Sequence, residues 1–233
     1  MSIDLQQIMR LIIEYLVKNL DQKVILIGGA GCVGKSTFAV DLQRYISNTL
    51  GTTVSALDLD CYLIERSQRE KNGRVITGYD PAGYRLEVAI RDIEALLSGQ
   101  SVLVSPYDKA TSERGREILI EPAEVLILEG VMALYEPIRG YGTVRIFIDA
   151  DQTTLYSNRE LREMGLGFDT ERIKKKFALL SHDYSRFIAP QRDNADIVIR
   201  IGPEYKIQNL ELRDFGQQGS AFDQHSPSAY TKR

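Results

Sequence analysis

The sequence predicts an α/β fold: a three-layer sandwich with a mostly parallel five-stranded sheet, a small β region on the substrate side and a helical lid. Three observations carry the prediction. The apolar run Val24-Ile25-Leu26-Ile27 leads into Gly29-Ala30-Gly31-Cys32-Val33-Gly34-Lys35-Ser36, which opens a stretch with apolar residues at helical spacing, Phe38, Ala39, Leu42, Ile46 and Leu50. Strand, glycine loop and helix in that order form the first unit of an open parallel sheet. Further buried-strand patterns occur at 53–57, 124–128, 144–148 and 196–201, and the first three run directly into the acids Asp58, Glu129 and Asp149. Carboxylates at the carboxyl ends of parallel strands lie where such sheets bind ligands. Last, two charged helical stretches, 152–164 and 170–189, are joined by Gly165-Leu166-Gly167-Phe168, the hinged pattern of a closing lid.

The chain has 233 residues and a formal net charge of −3, with a pI near 5.6. The length suits one domain, expected over 1–202 with its lid at about 152–190. An acidic balance argues against a nucleic-acid partner, and Lys174-Lys175-Lys176 reads as the solvated face of a helix. No apolar run reaches the length of about 18 residues that a membrane helix needs. The start shows no basic region followed by an apolar core, so no secretory signal is expected. Cys32 and Cys61 are the only cysteines. One lies in the glycine loop and the other beside a candidate catalytic acid, so a structural disulfide would be awkward and a reducing cytoplasm is expected. A homo-oligomer is left open by the sequence.

Taken in order, residues 3–20 carry Ile3, Leu5, Ile8, Ile12, Ile13, Leu16, Val17 and Leu20 on one helical face, predicting a helix packed across the sheet edge. The first strand, 23–27, the glycine loop and its helix follow, with Gly51 as the helix stop. The second strand runs into Asp58-Leu59-Asp60-Cys61-Tyr62. Asp60 is the candidate general base for an acceptor hydroxyl. Asp58 either caps a turn or holds a metal's water shell. Residues 64–78 are polar and charged and read as an exposed loop or frayed helix. A turn-rich aromatic segment, 78–84, precedes a helix at 86–97 that Gly99 ends. Two short strands, 102–104 and 118–120, carry a long polar loop between them, the small β region. The strand at 124–128, ending in Glu129-Gly130, has the form of a Walker B strand. Beyond the last strand, 203–233 lacks sustained periodicity and is expected to be a weakly ordered polar tail, or an arm that docks elsewhere. No internal repeat is visible.

The match G-x-x-x-x-G-K-S in this context is a phosphate-binding loop, which makes the fold a P-loop NTPase. Its glycines let successive N–H groups converge on one anion, and the helix behind presents its own free N–H groups to the same anion. Gly29, Ala30, Gly31, Cys32, Val33, Gly34, Lys35, Ser36 and Thr37 are the candidate nucleotide-binding residues. Lys35 is placed to reach the terminal phosphates, and Ser36 with Glu129 to hold Mg²⁺. Arg159 and Arg162 are the lid candidates for stabilising charge on the transferring group. Asp80-Pro81-Ala82-Gly83 formally matches the D-x-x-G element of GTPases, but it does not follow a buried strand and no N-K-x-D motif occurs. The expected donor is therefore ATP.

With these pieces placed, the chain resembles the uridine kinase and phosphoribulokinase family of P-loop small-molecule kinases, from about residue 24 to 201. Asp60-Cys61-Tyr62-Leu63 resembles the family's acid-x-aromatic motif after the second strand, and Tyr79-Asp80-Pro81 its Phe-Asp-His-Pro segment. Pro106-Tyr107-Asp108, with Arg114 after it, matches Pro-x-Tyr-Asp. Ile127-Leu128-Glu129-Gly130-Val131-Met132-Ala133-Leu134 is close to Ile-Leu-Glu-Gly-Ile-x-Ala-Leu, and Phe187-Ile188-Ala189-Pro190 with 195–199 matches the C-terminal pattern. The resemblance implies Asp60, Tyr62, Asp80, Tyr107 and Arg114 as acceptor-binding residues. It departs where uridine kinases read the base: Lys109 and Ser112 stand in place of an aromatic residue and a histidine. In the lid, Met164 replaces the second arginine. The expected activity is Mg²⁺-dependent transfer of the ATP γ-phosphate to a hydroxyl of a small molecule. A nucleoside acceptor comes first, and pantothenate, sugar phosphate or glycerate types are the alternatives. A nucleotide-driven conformational switch without an acceptor is the rival class, and the polar loop at 107–114 speaks against it.

Overall fold

The computed structural model describes residues 5–18, 23–71 and 74–213. Helix α1 (Leu5–Lys18) precedes strand β1 (Lys23–Gly29) and helix α2 (Lys35–Leu50). Strand β2 (Val54–Asp58) runs into a 3₁₀ turn at Leu59–Tyr62, after which come the short helix α3 (Arg66–Arg69) and a hairpin of β3 (Glu70–Lys71) and β4 (Arg74–Val75). Helix α4 (Leu86–Leu97) leads to a second hairpin, β5 (Val102–Val104) and β6 (Ile118–Ile120). Then follow β7 (Val125–Glu129), β8 (Val144–Asp149), α5 (Gln152–Gly165), α6 (Thr170–Asp183), β9 (Ile197–Ile201) and β10 (Ile207–Leu212).

The main sheet has six strands in the order β10-β9-β8-β1-β7-β2. Five are parallel, as the apolar runs predict, and β10 is antiparallel to β9. The tail expectation is therefore corrected over 203–213. Residues 207–212 pair with β9 at the sheet edge, and residues 214–233 lie outside the description. β7 is buried throughout and β1 from Val24 onward, as strands covered on both faces must be. Helix α2 packs on β1, β2 and β7. Helix α1 lies against α2 and the interior strand β8, so it covers a face of the sheet and not the edge the sequence suggested. On the other face Leu134 fills the space over Gly28, where an added Cβ would come within 2.7 Å. The 3₁₀ segment Ala189–Asn194 packs there on β1 and β8.

The register decides the chemistry. β2 and β7 pair with Asp58 beside Glu129, and β7 pairs with β1 so that Glu129 stands beside Ile27. The strand ends carrying the glycine loop and the acids thus meet at one edge, where the chain turns from β1 outward in both directions. Lid helices α5 and α6 start at Asp151 and Asp169, whose side chains accept from the N–H groups of Thr154 (2.7 Å) and Arg172 (2.8 Å), a regular N-cap arrangement. Among the described residues no helix is long and apolar enough to cross a membrane.

Candidate functional site

A large cleft of about 980 Å³ opens at that edge, between the phosphate loop, the lid and the β5–β6 loop. The loop is shaped by backbone that side chains resist. Gly29 has φ +134°, and a Cβ there would come 2.3 Å from the Ile148 carbonyl oxygen. Cys32 itself adopts φ 69°. Residues 31–37 line the cleft, while Gly29 and Ala30 sit behind it as the end of β1. Lys35 is buried and donates from Nζ to the Ala30 carbonyl at 2.7 Å. Burial lowers its pKa, against the raising influence of Glu129 and Asp60.

Asp60 lines the same cleft, close enough to Lys35 for each to influence the other's charge. Its Oδ2 lies 3.0 Å from Lys109 Nζ, and its Oδ1 is 3.3 Å from the Tyr84 hydroxyl. Burial opposes its ionisation, yet Lys109 and then Lys35 more than offset that, so its carboxyl is held below the usual range. Asp58 Oδ1 accepts from the Asp60 N–H at 2.8 Å, the turn-capping role among the two open to it. Burial, with Asp60 and Glu129 beside it, pushes its pKa up to about 8.

Glu129 is 5% exposed and faces the cleft, and among the described residues no hydrogen bond reaches its carboxylate. Ser36 lines the same wall from the first turn of α2. No group of three His, Cys, Asp or Glu among the described residues is arranged to hold a metal. An oxygen-only pair of one hydroxyl and one free carboxylate fits Mg²⁺, which takes few protein ligands and completes its shell with phosphates and water.

The lid closes the cleft with a charge node. Glu163, 1% exposed, accepts from Arg159 at 2.8 Å and Lys176 at 2.9 Å, and Arg162 lies 3.9 Å away. Arg159 and Arg162 both line the cleft.

Not every residue singled out by sequence reaches the cleft. Tyr62 is buried in the core and donates to Asp92 Oδ2 at 3.0 Å. Asp80 caps the turn at Pro81–Gly83 by accepting from the Ala82 N–H at 2.9 Å. Arg114 donates to the Cys61 carbonyl at 2.7 Å, pinning the β5–β6 loop to the end of β2 without lining the cleft. Tyr107 does line it, and its hydroxyl accepts from Arg69 at 3.0 Å.

Arg69 corrects the reading of 64–78 as an exposed loop or frayed helix. It is buried, and it also donates to the carbonyls of Ile64 (2.7 Å) and Ile76 (2.8 Å), folding the segment into a wall. Sequence reasoning also missed Tyr79, Tyr84, Glu163 and Tyr205 as cleft residues. The Gly-Tyr-Asp-Pro turn was the available signal for the first. The thiols of Cys32 and Cys61 are free and buried, and burial pushes that of Cys61 up to about 12.

The Phosphoribulokinase / Uridine kinase family matches residues 24–208. A uridine kinase of Halobacterium salinarum is 30% identical over 188 residues, which cover 78% of this chain and 81% of the relative. A phosphoribulokinase of Synechocystis sp. is 30% identical over 199 residues, 82% of this chain and 58% of the relative. Among solved structures, a D-glycerate 3-kinase from Cryptococcus neoformans aligns with a TM-score of 0.70 at 13% identity, covering 90% of this chain and 99% of that one. At that identity the likeness concerns the fold alone. With a strand–glycine loop–helix unit beside an acid-ended strand at one cleft, and with the family match spanning most of the chain, the protein belongs to the phosphoribulokinase and uridine kinase family of phosphotransferases.

Proposed function

We propose that the chain transfers the γ-phosphate of ATP to a hydroxyl of a small molecule, with Asp60 receiving the hydroxyl proton. The observation that carries this reading is the position of Asp60. It is a largely buried carboxylate held below its usual range, in the same cleft as Lys35 and the phosphate loop. The loop N–H groups and Lys35 hold the phosphates, and Thr37 lies at the mouth of the loop. Arg159 and Arg162, held by Glu163, meet charge on the transferring group from the lid side. Ser36 and Glu129 would hold Mg²⁺, which when bound would neutralise charge on the phosphates. What remains for the protein is to align donor and acceptor and exclude water, the larger part of phosphoryl-transfer catalysis. Two free thiols, one in the phosphate loop, suit a reducing compartment such as the cytoplasm.

For the acceptor, the uridine kinases among the relatives favour a nucleoside. A second reading has its own support. Lys109 brings a cation to the catalytic carboxylate, where it would pair with an anionic group once Asp60 turns to a hydroxyl. That favours a sugar phosphate or a hydroxy acid. ATP consumption measured with uridine, cytidine, pantothenate, D-glycerate and ribulose 5-phosphate separates the readings. Stimulation by one acceptor is expected, and Asp60→Ala should abolish it while ATP still binds. A wild-type protein that hydrolyses ATP equally with and without every acceptor would shift the reading to a nucleotide-driven switch.

A further inference from the structure

Tyr79 lines the cleft without a part in the mechanism above. Its ring is buried, with 6% exposure, and its hydroxyl accepts two hydrogen bonds: from the Gly31 N–H at 2.7 Å and from Arg159 Nη2 at 3.0 Å. The first donor belongs to the phosphate loop and the second to the lid. The approach is tight, since a Cβ at Gly31 would lie 3.0 Å from Arg159 Nη2 and 3.2 Å from the Tyr79 oxygen. With both acceptor positions taken, the hydroxyl's own proton finds no acceptor among the described residues, and the group lines the cleft. Burial raises the phenol's pKa, outweighing the nearby Arg159, so it keeps that proton and is a donor.

The backbone around Tyr79 is fixed from two sides. Its N–H donates to Thr77 Oγ1 at 3.0 Å, and the Thr77 hydroxyl donates to Asp183 at the end of α6 at 2.7 Å. The Gly78 carbonyl and Asp60 Oδ1 share the Tyr84 hydroxyl, at 3.0 Å and 3.3 Å. The turn that carries Tyr79 therefore joins the phosphate loop to the catalytic carboxylate. A phosphoryl group travelling from one to the other passes between them.

Building on the kinase reading above, we propose that the Tyr79 hydroxyl is a catalytic group that donates a hydrogen bond to the transferring phosphoryl group, paired with Arg159. In the step, the bond from the γ-phosphorus to the β–γ bridging oxygen breaks as the bond from the acceptor oxygen forms. ADP leaves with the electron pair, the hydroxyl proton passes to Asp60, and Tyr79 keeps its own. Donors aimed at developing phosphoryl charge in a water-poor cleft act mainly on the transition state. The corresponding residue of the resembling Phe-Asp-His-Pro pattern is phenylalanine, so the hydroxyl is what this chain adds.

Tyr79→Phe removes that hydroxyl, and with it the acceptor for the Gly31 N–H and for Arg159. Its kcat/KM for ATP should fall by about tenfold or more, while ADP, which lacks the γ-phosphate, binds within about twofold of the wild-type affinity. The thermal midpoint, read by circular dichroism, should fall by roughly 2–10 °C with the transition still cooperative, since two donors lose that acceptor. An unchanged kcat/KM overturns the proposal. So does an equal loss of ADP affinity, which would make Tyr79 a support for the loop. A wild-type protein that binds neither nucleotide overturns the kinase reading first, and this proposal with it.

Discussion

Asp60 is tuned by its neighbours more than by its place in the turn after β2. Lys109 at 3.0 Å keeps it ionised against a burial effect that works the other way. With the pKa depressed, the proton-accepting form persists as pH falls to below the ordinary aspartate value of about 3.9. The acid limb of kcat/KM should lie correspondingly low in the wild type. Lys109→Gln leaves burial unopposed by that cation, so the limb should move to higher pH in a pH–rate profile. The same variant should raise KM for an anionic acceptor by about tenfold, a typical worth for one charged contact, and leave KM for uridine within about threefold. A limb that does not move means Lys109 does not set the charge of Asp60. At this scale the sequence was readable where spacing constrains chemistry, as in Lys35, Ser36, Asp60 and Glu129. It was unreadable where facing depends on a distant partner. Tyr62 turns inward because Asp92, thirty residues on, accepts its hydroxyl. Lys109 turns to Asp60 through a loop whose fold rests on Arg114 reaching the Cys61 carbonyl.

The lid helices act through one carboxylate. Glu163 sits on α5, takes Arg159 from the preceding turn and Lys176 from α6, and so fixes both the interhelix packing and the guanidinium that faces the cleft. Glu163→Ala should cost about 3 kcal/mol of stability, because it leaves the buried Arg159 without its counterion. It should also lower turnover. The Glu163 carboxyl is held below its ordinary range: burial opposes ionisation, and Lys176 with Arg159 outweighs burial. A depressed folded-state pKa means its stabilisation is complete above the unfolded value of about 4.3 and disappears as pH falls through the folded value. Urea unfolding of wild type and variant should thus give a difference that is constant between about pH 5 and 8 and shrinks in acid. A difference independent of pH would assign the loss to packing. The lid's existence was legible from its charge and glycine hinge, and its node was not. Glu163 looks like any solvated helix glutamate until α6 folds back on α5. The hairpin after α3 was hidden for a related reason: Arg69 reads as a surface charge, and only its three acceptors make it a core residue.

Across the whole molecule, the sheet is completed by a segment that carries little signal of its own. Ile207-Gln208-Asn209-Leu210-Glu211-Leu212 has neither a sustained apolar run nor turn residues beside it. What makes it a strand is β9, whose Ile197, Val198, Ile199 and Ile201 are buried and whose outer edge would otherwise be unpaired, an edge that proteins rarely leave open. Arg192 fastens it by donating to both Glu211 oxygens, at 2.6 and 2.8 Å, while its Nε lies 3.3 Å from Asp149 at the end of β8. The turn into β10 sets the Tyr205 ring against the phosphate loop, 3.4 Å from where a Gly34 Cβ would stand. Edge pairing and a wall of the cleft are thereby carried by neighbouring residues, and two variants separate them. A chain ending at Gly202 loses the β10 ladder and uncovers β9, a loss on the order of 3–5 kcal/mol from hydrogen bonds and apolar burial. Its thermal midpoint should fall by roughly 6–20 °C. Tyr205→Ala keeps the strand, so its midpoint should stay near the wild-type value while its affinity for ATP weakens, because a cleft wall is removed beside the loop. If Tyr205→Ala binds ATP as the wild type does, the strand's contribution is to the sheet alone, and any loss of ATP binding in the shortened chain follows from unfolding.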